Sequence, residues 1–386
     1  MIPKLKIVAL EISHSQGKVI SGGDKLLEEM SPYLSPNISL EIVIPKIASW
    51  HWKGKKVKIV SLKQNVFDRH QNLYSLTITY FIRIITTLFF LLSQKEKYLL
   101  YSSTNIFPDV LPAAFTKIIK PQIYWFARIH HLISPPQNRP GNFLVNTFSF
   151  LTQEICLLFL KRADKIAVLN NKLMHPLLRK GFKKSKLFVS PAGINPKIWQ
   201  FKKITKRYDA VFLGRLEPSK GINDIIPLWH SVCQKLPQAK LIVAGPGQKR
   251  TIQKLKKGVQ RAGIETNVKI NDPLPQNKIR SIFLSSKVFL FLDHEAGFGI
   301  APLEAMSCGL PVVGYDIGIL GQTFKKGFIK VKPYDINLFA ESVTNLLSSP
   351  QKLKLLALEA RKESTNHSWL LVAKSFQKHL PLIQTQ

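Results

Sequence analysis

The chain is poor in cysteine and in acidic residues. Its three cysteines, Cys156, Cys233 and Cys308, are an odd number at wide spacing, which argues against a disulfide framework and against a metal site and fits a reducing cytoplasm. Asp and Glu together number 23 against 56 Lys and Arg, so the formal net charge is +33. Such an imbalance attracts polyanions, and an anionic partner is expected.

The positive charge is not concentrated in a tail. Residues 1–200 hold 28 basic and 10 acidic residues, and residues 201–386 hold 28 and 13. This even spread, without a clustered basic and aromatic motif, argues against a nucleic-acid partner. A basic nucleic-acid-binding protein is therefore the weaker alternative for the whole chain. Three explanations of the charge stay open: an anionic membrane surface, phosphorylated substrates, or a proteome rich in lysine.

Long apolar runs are few. The run that ends at Glu11 is too short for a signal-peptide core and lacks a small-residue cleavage site, so it predicts a first strand. Residues 74–93 form a mostly apolar stretch of about twenty residues, the length of a bilayer span, with Arg83 in its middle. The stretch predicts either a helix packed on a sheet or an amphipathic helix that dips into a membrane face, and residues 143–159 are a second candidate for the latter.

Short apolar runs alternate with longer amphipathic stretches, which is the pattern of parallel sheets covered by helices. Seven predicted strands precede a polar, basic stretch without clear period at 196–207, and five follow it. We therefore predict two α/β domains, 1–195 and 208–364, joined by a linker at 196–207. The predicted strands cover residues 6–10, 40–44, 57–60, 98–101, 122–126, 165–169, 187–189, 209–213, 240–244, 267–270, 288–292 and 311–314.

The first candidate site is the loop after the predicted strand 209–213. Residues 214–221 read Gly-Arg-Leu-Glu-Pro-Ser-Lys-Gly and run into a helical pattern at 222–236. Backbone N–H groups at a helix N-terminus bind phosphate, and glycines let the backbone approach it closely. Arg215 offers a planar fork and Lys220 a compact charge, so the two together could neutralise a diphosphate without a metal. In a chain this basic, chance placement of both cations is the alternative.

The second candidate site follows the predicted strand 288–292. Residues 293–311 read Asp-His-Glu-Ala-Gly-Phe-Gly-Ile-Ala-Pro-Leu-Glu-Ala-Met-Ser-Cys-Gly-Leu-Pro. A glycine-containing loop opens a short helix that Gly309 ends, with Pro311 just beyond. A carboxylate at Glu304 in this helix can accept hydrogen bonds from both hydroxyls of a ribose. A phosphate bound at the start of the helix and a ribose bound farther along it would together make a nucleotide site.

In order and separation, the two segments resemble the signature pair of retaining GT-B glycosyltransferases, the glycosyl transferases group 1 or family four. The shared features are Gly-Arg-x-x-x-x-Lys-Gly at 214–221 and Glu-Ala-Met-x-x-Gly-x-Pro-Val-Val at 304–313. The resemblance implies two Rossmann-like domains facing a central cleft, the GT-B fold. The acceptor side would lie in 1–195 and the nucleotide-sugar site in 208–364, and a helix in 365–386 would cross back to the first domain.

The resemblance also implies the residue roles. Arg215 and Lys220 would bind the donor diphosphate, and Glu304 would hold the ribose. His130 stands where the family has a histidine that contacts the donor sugar, and a histidine suits this role because it titrates near neutrality and both donates and accepts. A metal role for His130 and His131 is disfavoured because adjacent side chains diverge. The remaining residues expected around the donor are Gly22, Gly23, Gly214, Gly245, Gly297, Phe298, Gly299 and Ile300.

One position departs from the family pattern. The first of the family's two glutamates falls on Ala296, and Glu295 stands one residue farther from Glu304. A one-residue bulge could bring Glu295 into place, since an insertion is tolerated most easily in a loop. The other reading is that the carboxylate is absent.

The expected function is therefore retaining transfer of a sugar from a nucleotide diphosphate sugar to a glycan or lipid-linked acceptor, with no metal and no further cofactor. Arg215, Lys220, Glu295 and His130 are the expected catalytic residues. The expected location is the cytoplasm, where the protein could be peripheral at the inner face of the membrane. A GT-B protein that only binds nucleotides or glycans is the alternative, because of Ala296.

Overall fold

The computed structural model describes residues 5–13, 25–69, 72–271 and 274–381. The chain forms two compact units, Met1–Gly193 with Trp369–Gln386, and Ile194–Ser368. Each unit has one parallel sheet, of seven strands in the first and six in the second. The predicted fold class, two Rossmann-like α/β units, is confirmed.

The strands in the described residues are Leu5–Leu10 (β1), Ile38–Pro45 (β2), Lys58–Leu62 (β3), Leu99–Ser102 (β4), Tyr124–Ile129 (β5), Lys165–Val168 (β6), Leu187–Val189 (β7), Tyr208–Leu213 (β8), Leu241–Ala244 (β9), Val268–Asn271 (β10), Ser286–Phe291 (β11), Val312–Tyr315 (β12) and Phe328–Val331 (β13). The helices are Lys25–Met30 (α1), Leu73–Ser93 (α2), Phe107–Ile119 (α3), Phe143–Leu160 (α4), Met174–Arg179 (α5), Ile225–Lys235 (α6), Lys249–Arg261 (α7), Gln276–Ser285 (α8), Ile300–Ser307 (α9), Ile336–Leu347 (α10), Pro350–Ser364 (α11) and Trp369–Lys378 (α12).

The first unit is a doubly wound sheet in the order β3-β2-β1-β4-β5-β6-β7. The order reverses direction between β1 and β4, which pair in parallel with Ile7 opposite Leu99. Right-handed crossovers on the two sides of such a point place their helices on opposite faces of the sheet. Accordingly α2, α3 and α4 pack side by side on one face, whereas α1 packs with α12.

The second unit repeats the arrangement in the order β10-β9-β8-β11-β12-β13. Its core is built around Phe212, Trp229 and Phe339, which are buried against the apolar strands. Each of the twelve predicted strands overlaps an observed strand. The thirteenth, β13, has no predicted counterpart because its Phe-Ile-Lys-Val sequence is short, follows two lysines and a glycine, and pairs only at the edge of the sheet.

The helix α12 belongs to the first unit. The ring of Phe376 lies 4.8 Å from that of Phe126 and 5.6 Å from that of Tyr101, measured between centroids. Gly193 lies so close to α12 that an added Cβ would come within 2.6 Å of the backbone nitrogen of Trp369. The chain therefore leaves the first unit after Gly193 and re-enters it at Trp369.

Candidate functional site

The candidate site lies in the second unit, where its strand order changes direction. The strands β8 and β11 are neighbours in the sheet, but the chain runs from β8 towards β9 and from β11 towards β12. At such a point the loops from the carboxyl ends of the two strands separate and leave a crevice, which is where open α/β sheets bind ligands. These two loops are the segments 214–221 and 293–299 that the sequence singled out.

The loop after β8 begins with a close approach of two backbones. The N–H of Gly214 donates to the carbonyl of Ala244 at 3.2 Å. Gly245 has φ +144°, and a Cβ added there would lie 1.8 Å from the carbonyl oxygen of Gly214. Only glycine fits at position 245, so the two predicted glycines are in contact at the ends of β8 and β9.

Lys220 joins the loop after β8 to the loop after β11. Its ammonium donates to a carboxylate oxygen of Asp293 and, at 3.2 Å, to the backbone carbonyl of Glu295. The backbones are also bonded, because the N–H of His294 donates to the carbonyl of Ser219 at 3.0 Å. The two predicted segments are thus one structural site.

The Asp293 carboxylate is mostly buried, with 14% of its side chain exposed. Burial raises the pKa of Asp293, and the nearby charges of Lys220 and Arg215 oppose this rise. A carboxylate this poorly solvated depends on Lys220 for its charge balance.

Arg215 lies nearer the surface than Lys220. Its side chain is 54% exposed and its guanidinium pairs with Glu217 at 3.0 Å. The same Glu217 oxygen accepts a hydrogen bond from the Ser219 hydroxyl at 2.8 Å. Arg215 is also near enough to Asp293 for its charge to oppose the rise in the pKa of that carboxyl. Both predicted phosphate-binding cations therefore lie at the site, and each is paired with a carboxylate.

The second loop opens α9 as predicted. Gly299 precedes the helix with φ +91°, and the first N–H groups of a helix have no acceptor within it. Phe298 is buried, with its ring 5.6 Å from that of Phe324 and 5.7 Å from that of His367 between centroids. This packing holds the loop and leaves Gly297 and Ile300 half-buried at the start of the helix.

Glu304 lies in the second turn of α9 and is buried, with 6% exposed. The helix ends as the sequence predicted: Gly309 has φ +85° and its N–H donates to the carbonyl of Met306 at 2.9 Å. Glu295, the other carboxylate, is half-buried in the loop. Its backbone carbonyl accepts a hydrogen bond from the Lys220 ammonium.

A polar cluster beside the site escaped the sequence analysis. A carboxylate oxygen of Asp224, just before α6, lies 2.7 Å from His294 Nε2 and accepts from the Tyr315 hydroxyl at 3.1 Å. The ring of Tyr334, a residue with φ +65°, lies edge-on to His294 at 4.8 Å between centroids. These four residues come from separate parts of the chain, and only His294 stood near a recognisable motif. Burial and the Asp224 charge raise the pKa of Tyr315.

His130 lies in the first unit, directly after β5, and is buried. Its Nε2 lies 2.7 Å from the carbonyl of Ser103, so this nitrogen carries the proton and donates. Burial, with the charge of Arg128, lowers the pKa of His130 to about 3. The expectation that this histidine titrates near neutrality is therefore wrong. Its other nitrogen, Nδ1, is buried, can only accept, and has no hydrogen-bond partner among the described residues.

Two predicted residues, Gly22 and Gly23, lie outside the described residues. Within the part of the chain that the structure describes, no three His, Cys, Asp or Glu side chains are grouped so as to hold a metal ion.

Residues 194–363 match the family model described as glycosyl transferases group 1. Among curated proteins, the chain is 26% identical over 179 residues to a subunit of the phosphatidylinositol N-acetylglucosaminyltransferase of Arabidopsis thaliana, covering 46% of this chain and 38% of that protein. It is 25% identical over 168 residues to D-inositol 3-phosphate glycosyltransferase of Corynebacterium efficiens, covering 42% and 40%. The matched region thus spans about two fifths of these relatives' length.

Solved structures match over nearly the whole chain. Sucrose-phosphate synthase from Thermosynechococcus elongatus superposes with TM-score 0.78 at 15% identity, covering 97% of this chain and 98% of that one. The Anabaena protein HepE, solved with UDP and glucose, superposes with TM-score 0.75 at 16% identity over the same shares. At these identities the likeness shows the fold, which is the GT-B fold.

Proposed function

Because residues 194–363 match the family model of glycosyl transferases group 1, we propose that this chain is a glycosyltransferase that takes a sugar from a nucleotide diphosphate sugar. The observation that carries the proposal is that Lys220 forms hydrogen bonds from the loop after β8 to the loop after β11. These bonds hold the loop that carries Arg215 and Lys220 beside the loop that leads into α9, so a diphosphate bound between the loops would meet two cations and a set of backbone donors.

The proposed chemistry stabilises the leaving group. As the glycosidic bond breaks, negative charge grows on the diphosphate, and fixed positive groups lower the barrier by stabilising that charge. Arg215 and Lys220 supply this stabilisation without a metal. Glu304, in α9 beyond the phosphate position, holds the ribose hydroxyls. Transfer proceeds with retention of the anomeric configuration, and the leaving phosphate takes the proton of the acceptor.

His130 is proposed to hold the donor sugar as a neutral acceptor. Its Nε2 proton is committed to the Ser103 carbonyl, so only Nδ1 can receive a hydrogen bond from a sugar hydroxyl. The low pKa argues against His130 as a general base, because a base of pKa about 3 has little affinity for a proton at neutral pH.

The proposed transfer is to a glycan or lipid-linked acceptor, and the proposed location is the cytoplasm. Among the relatives, the Arabidopsis protein is named for transfer to phosphatidylinositol. The proposed location rests on the three free cysteines, because free thiols are kept reduced in the cytoplasm.

A binding-only protein is the second candidate, and Ala296 favours it. If the carboxylate of Glu295 does not fill the place of the first glutamate, donor binding would persist without transfer. Donor binding and transfer must therefore be measured separately.

The test is a panel of nucleotide sugars followed by thermal shift and by release of nucleoside diphosphate. We expect one donor to raise the melting temperature of the wild type, and Arg215→Ala to remove most of that rise. Arg261→Ala, at an exposed arginine that ends α7, is the matched control and should keep it. Donor binding that survives in Arg215→Ala would refute the proposed site. Binding without nucleotide release, with all acceptors tried, would favour the second candidate.

A further inference from the structure

The outer face of the first unit is apolar over three adjacent helices. The helices α2, α3 and α4 pack side by side, and their outward positions carry large apolar side chains that are more than one third exposed. We call this surface the apolar face. It comprises Leu73, Tyr74, Phe81, Ile82, Ile85, Phe89, Phe115, Ile118, Ile119, Phe143, Leu144, Val145, Phe148, Leu151, Ile155 and Leu158.

In α2 the usual amphipathic arrangement is reversed. Its buried stripe contains Ser75, Thr79, Arg83 and Thr87, and the Arg83 guanidinium donates to Asp68 at 2.6 Å. The opposite side exposes 63% of Phe81 and 71% of Phe89. A helix of a water-soluble surface places its polar side chains outwards. This one places them inwards, which is the arrangement expected where the outer medium is apolar.

The helix α4 repeats the reversal. Asn146 and Gln153 are buried, where Asn146 bonds to the carbonyl of Arg139 at 3.1 Å and Gln153 receives the N–H of Ile133 at 2.6 Å. On the outer side Leu144 is 74% exposed and Leu158 is 61% exposed.

Five threonine and serine hydroxyl groups in α2 and α4 are bonded to the backbone of their own helix. Thr77 donates to the carbonyl of Leu73 at 2.8 Å, and Thr86 donates to that of Ile82 at 2.7 Å. In α4 the same i−4 bonds are made by Thr147, Ser149 and Thr152, at 2.8 to 2.9 Å. A hydroxyl bonded in this way has its donor satisfied without water, as in helices that face lipid.

The three helices carry few charged residues. Within α2, α3 and α4 the Asp, Glu, Lys and Arg residues are Arg83, Asp109, Lys117 and Glu154. The first two are buried, and the other two are paired with Asp164 and Lys180.

The rim of the apolar face is basic. Each of the three helices leads into the amino end of a parallel strand. Their C-termini therefore lie together at the end of the sheet where the strands begin, which we call the rim. Lys95, Lys97, Lys161 and Arg162 are exposed at the rim, where the exposed acid Glu96 pairs with Lys6. Basic groups beside an apolar surface complement anionic lipid headgroups.

We propose that the apolar face lies in the interface of an anionic lipid bilayer, with the basic rim on the headgroups. By length and composition alone, α2 and α4 would also be long and apolar enough to cross a membrane. The Arg83–Asp68 pair and the buried polar stripes fix both helices against the unit, so the face lies on the membrane and does not span it. This inference goes beyond the proposed glycosyl transfer and does not depend on it.

The test is flotation of the full chain with vesicles, either of phosphatidylcholine alone or of an equal mixture with phosphatidylglycerol. We expect the wild type to float with the mixed vesicles at least about tenfold more strongly than with the neutral ones, given four rim cations. The variant Phe81→Ser/Phe89→Ser/Phe143→Ser/Leu144→Ser should bind the mixed vesicles roughly tenfold or more weakly, because apolar area drives interfacial binding.

The matched control is Leu355→Ser/Leu358→Ser on α11, where the side chains are 59% and 52% exposed. It should float like the wild type. Because all six positions are exposed, the melting temperatures of both variants should stay near that of the wild type. A further variant, Phe89→Trp, should show fluorescence that brominated acyl chains quench.

Wild-type protein that does not float with mixed vesicles would overturn the proposal, and so would equal losses in the two serine variants. A dimer in sedimentation that the face variant breaks, without vesicle binding, would instead assign the face to a second copy of the chain. Donor binding by thermal shift should be unchanged in both variants, so failure here leaves the proposed transferase function untouched.

Discussion

Replacing Lys220 by Met tests whether the joint between the two loops is structural as well as chemical. Methionine keeps the apolar stem of the side chain and removes the charge that balances Asp293. Breaking a fully buried ion pair costs about 3–5 kcal/mol because the remaining charge is left uncompensated. The Lys220 and Asp293 side chains are 19% and 14% exposed, so their pair is not fully buried. We therefore expect the free energy of unfolding to fall by a smaller amount, about 2–3 kcal/mol. For a unit of this size that lowers the melting temperature by roughly 5 to 10 °C.

The loss should depend on pH in a definite direction. Burial already raises the pKa of Asp293 above its ordinary value of 3.8, and removal of Lys220 raises it further. A raised folded-state pKa means that the protonated form is favoured by folding, so stability is recovered as pH falls through the folded pKa and is lost as pH rises through it. The difference between variant and wild type should be largest at neutral pH and shrink towards pH 4.

The assay is calorimetry of the full chain between pH 4.5 and 8, with Lys257→Met on the exposed side of α7 as the matched control. The double variant Lys220→Met/Asp293→Asn should recover most of the stability, since no charge is left unpaired, but should not recover donor binding. A Lys220→Met protein as stable as the wild type at pH 7.5, or a loss that is the same at every pH, would refute this account of the pair.

Two further predictions concern backbone and protonation. Gly245→Ala should destabilise the second unit by about 2–3 kcal/mol and abolish donor binding, because the new Cβ would lie 1.8 Å from the Gly214 carbonyl oxygen. A variant with the melting temperature and donor binding of the wild type would contradict this close approach of the two backbones. His130 should remain neutral in the folded state down to a pKa of about 3, so the wild type should lose up to about 1.4 kcal/mol per pH unit below 6.5 relative to His130→Gln, as the unfolded state takes up the proton. Parallel melting curves of the two proteins between pH 7.5 and 5 would contradict this.

The sequence predicted every strand of the first unit and missed one strand, β13, in the second. Strand periodicity located twelve of the strands because apolar runs of parallel sheets are readable without tertiary information. The two loops of the proposed donor site were readable because glycines and a cation at fixed spacing are what a phosphate site requires. The cluster of Asp224, His294, Tyr315 and Tyr334 was not, because its members meet only after the sheet has formed.

Two other features also depend on tertiary structure. The sequence shows that residues 74–93 are apolar with an arginine inside. It does not show that Thr79, Arg83 and Thr87 turn towards the protein while Phe81 and Phe89 turn away from it. Likewise the low pKa of His130 follows from its burial and from the charge of Arg128, which the chain positions do not reveal. Neither the orientation of α2 nor the protonation of His130 can be read from the sequence before the unit is packed.

The two cations of the proposed donor site have different consequences when they are lost. Arg215 is half exposed, and its pairing with Glu217 is of a kind worth about 0–1 kcal/mol, so a diphosphate can replace that partner at little cost. Lys220 is held between Asp293 and the Glu295 carbonyl, so it adds charge to the site from a fixed position and also keeps the two loops together. Removing Arg215 should therefore weaken donor binding in a protein of wild-type stability. Removing Lys220 should weaken donor binding and also lower the stability of the protein. When Asp293 is neutralised as well, the stability should return but donor binding should not.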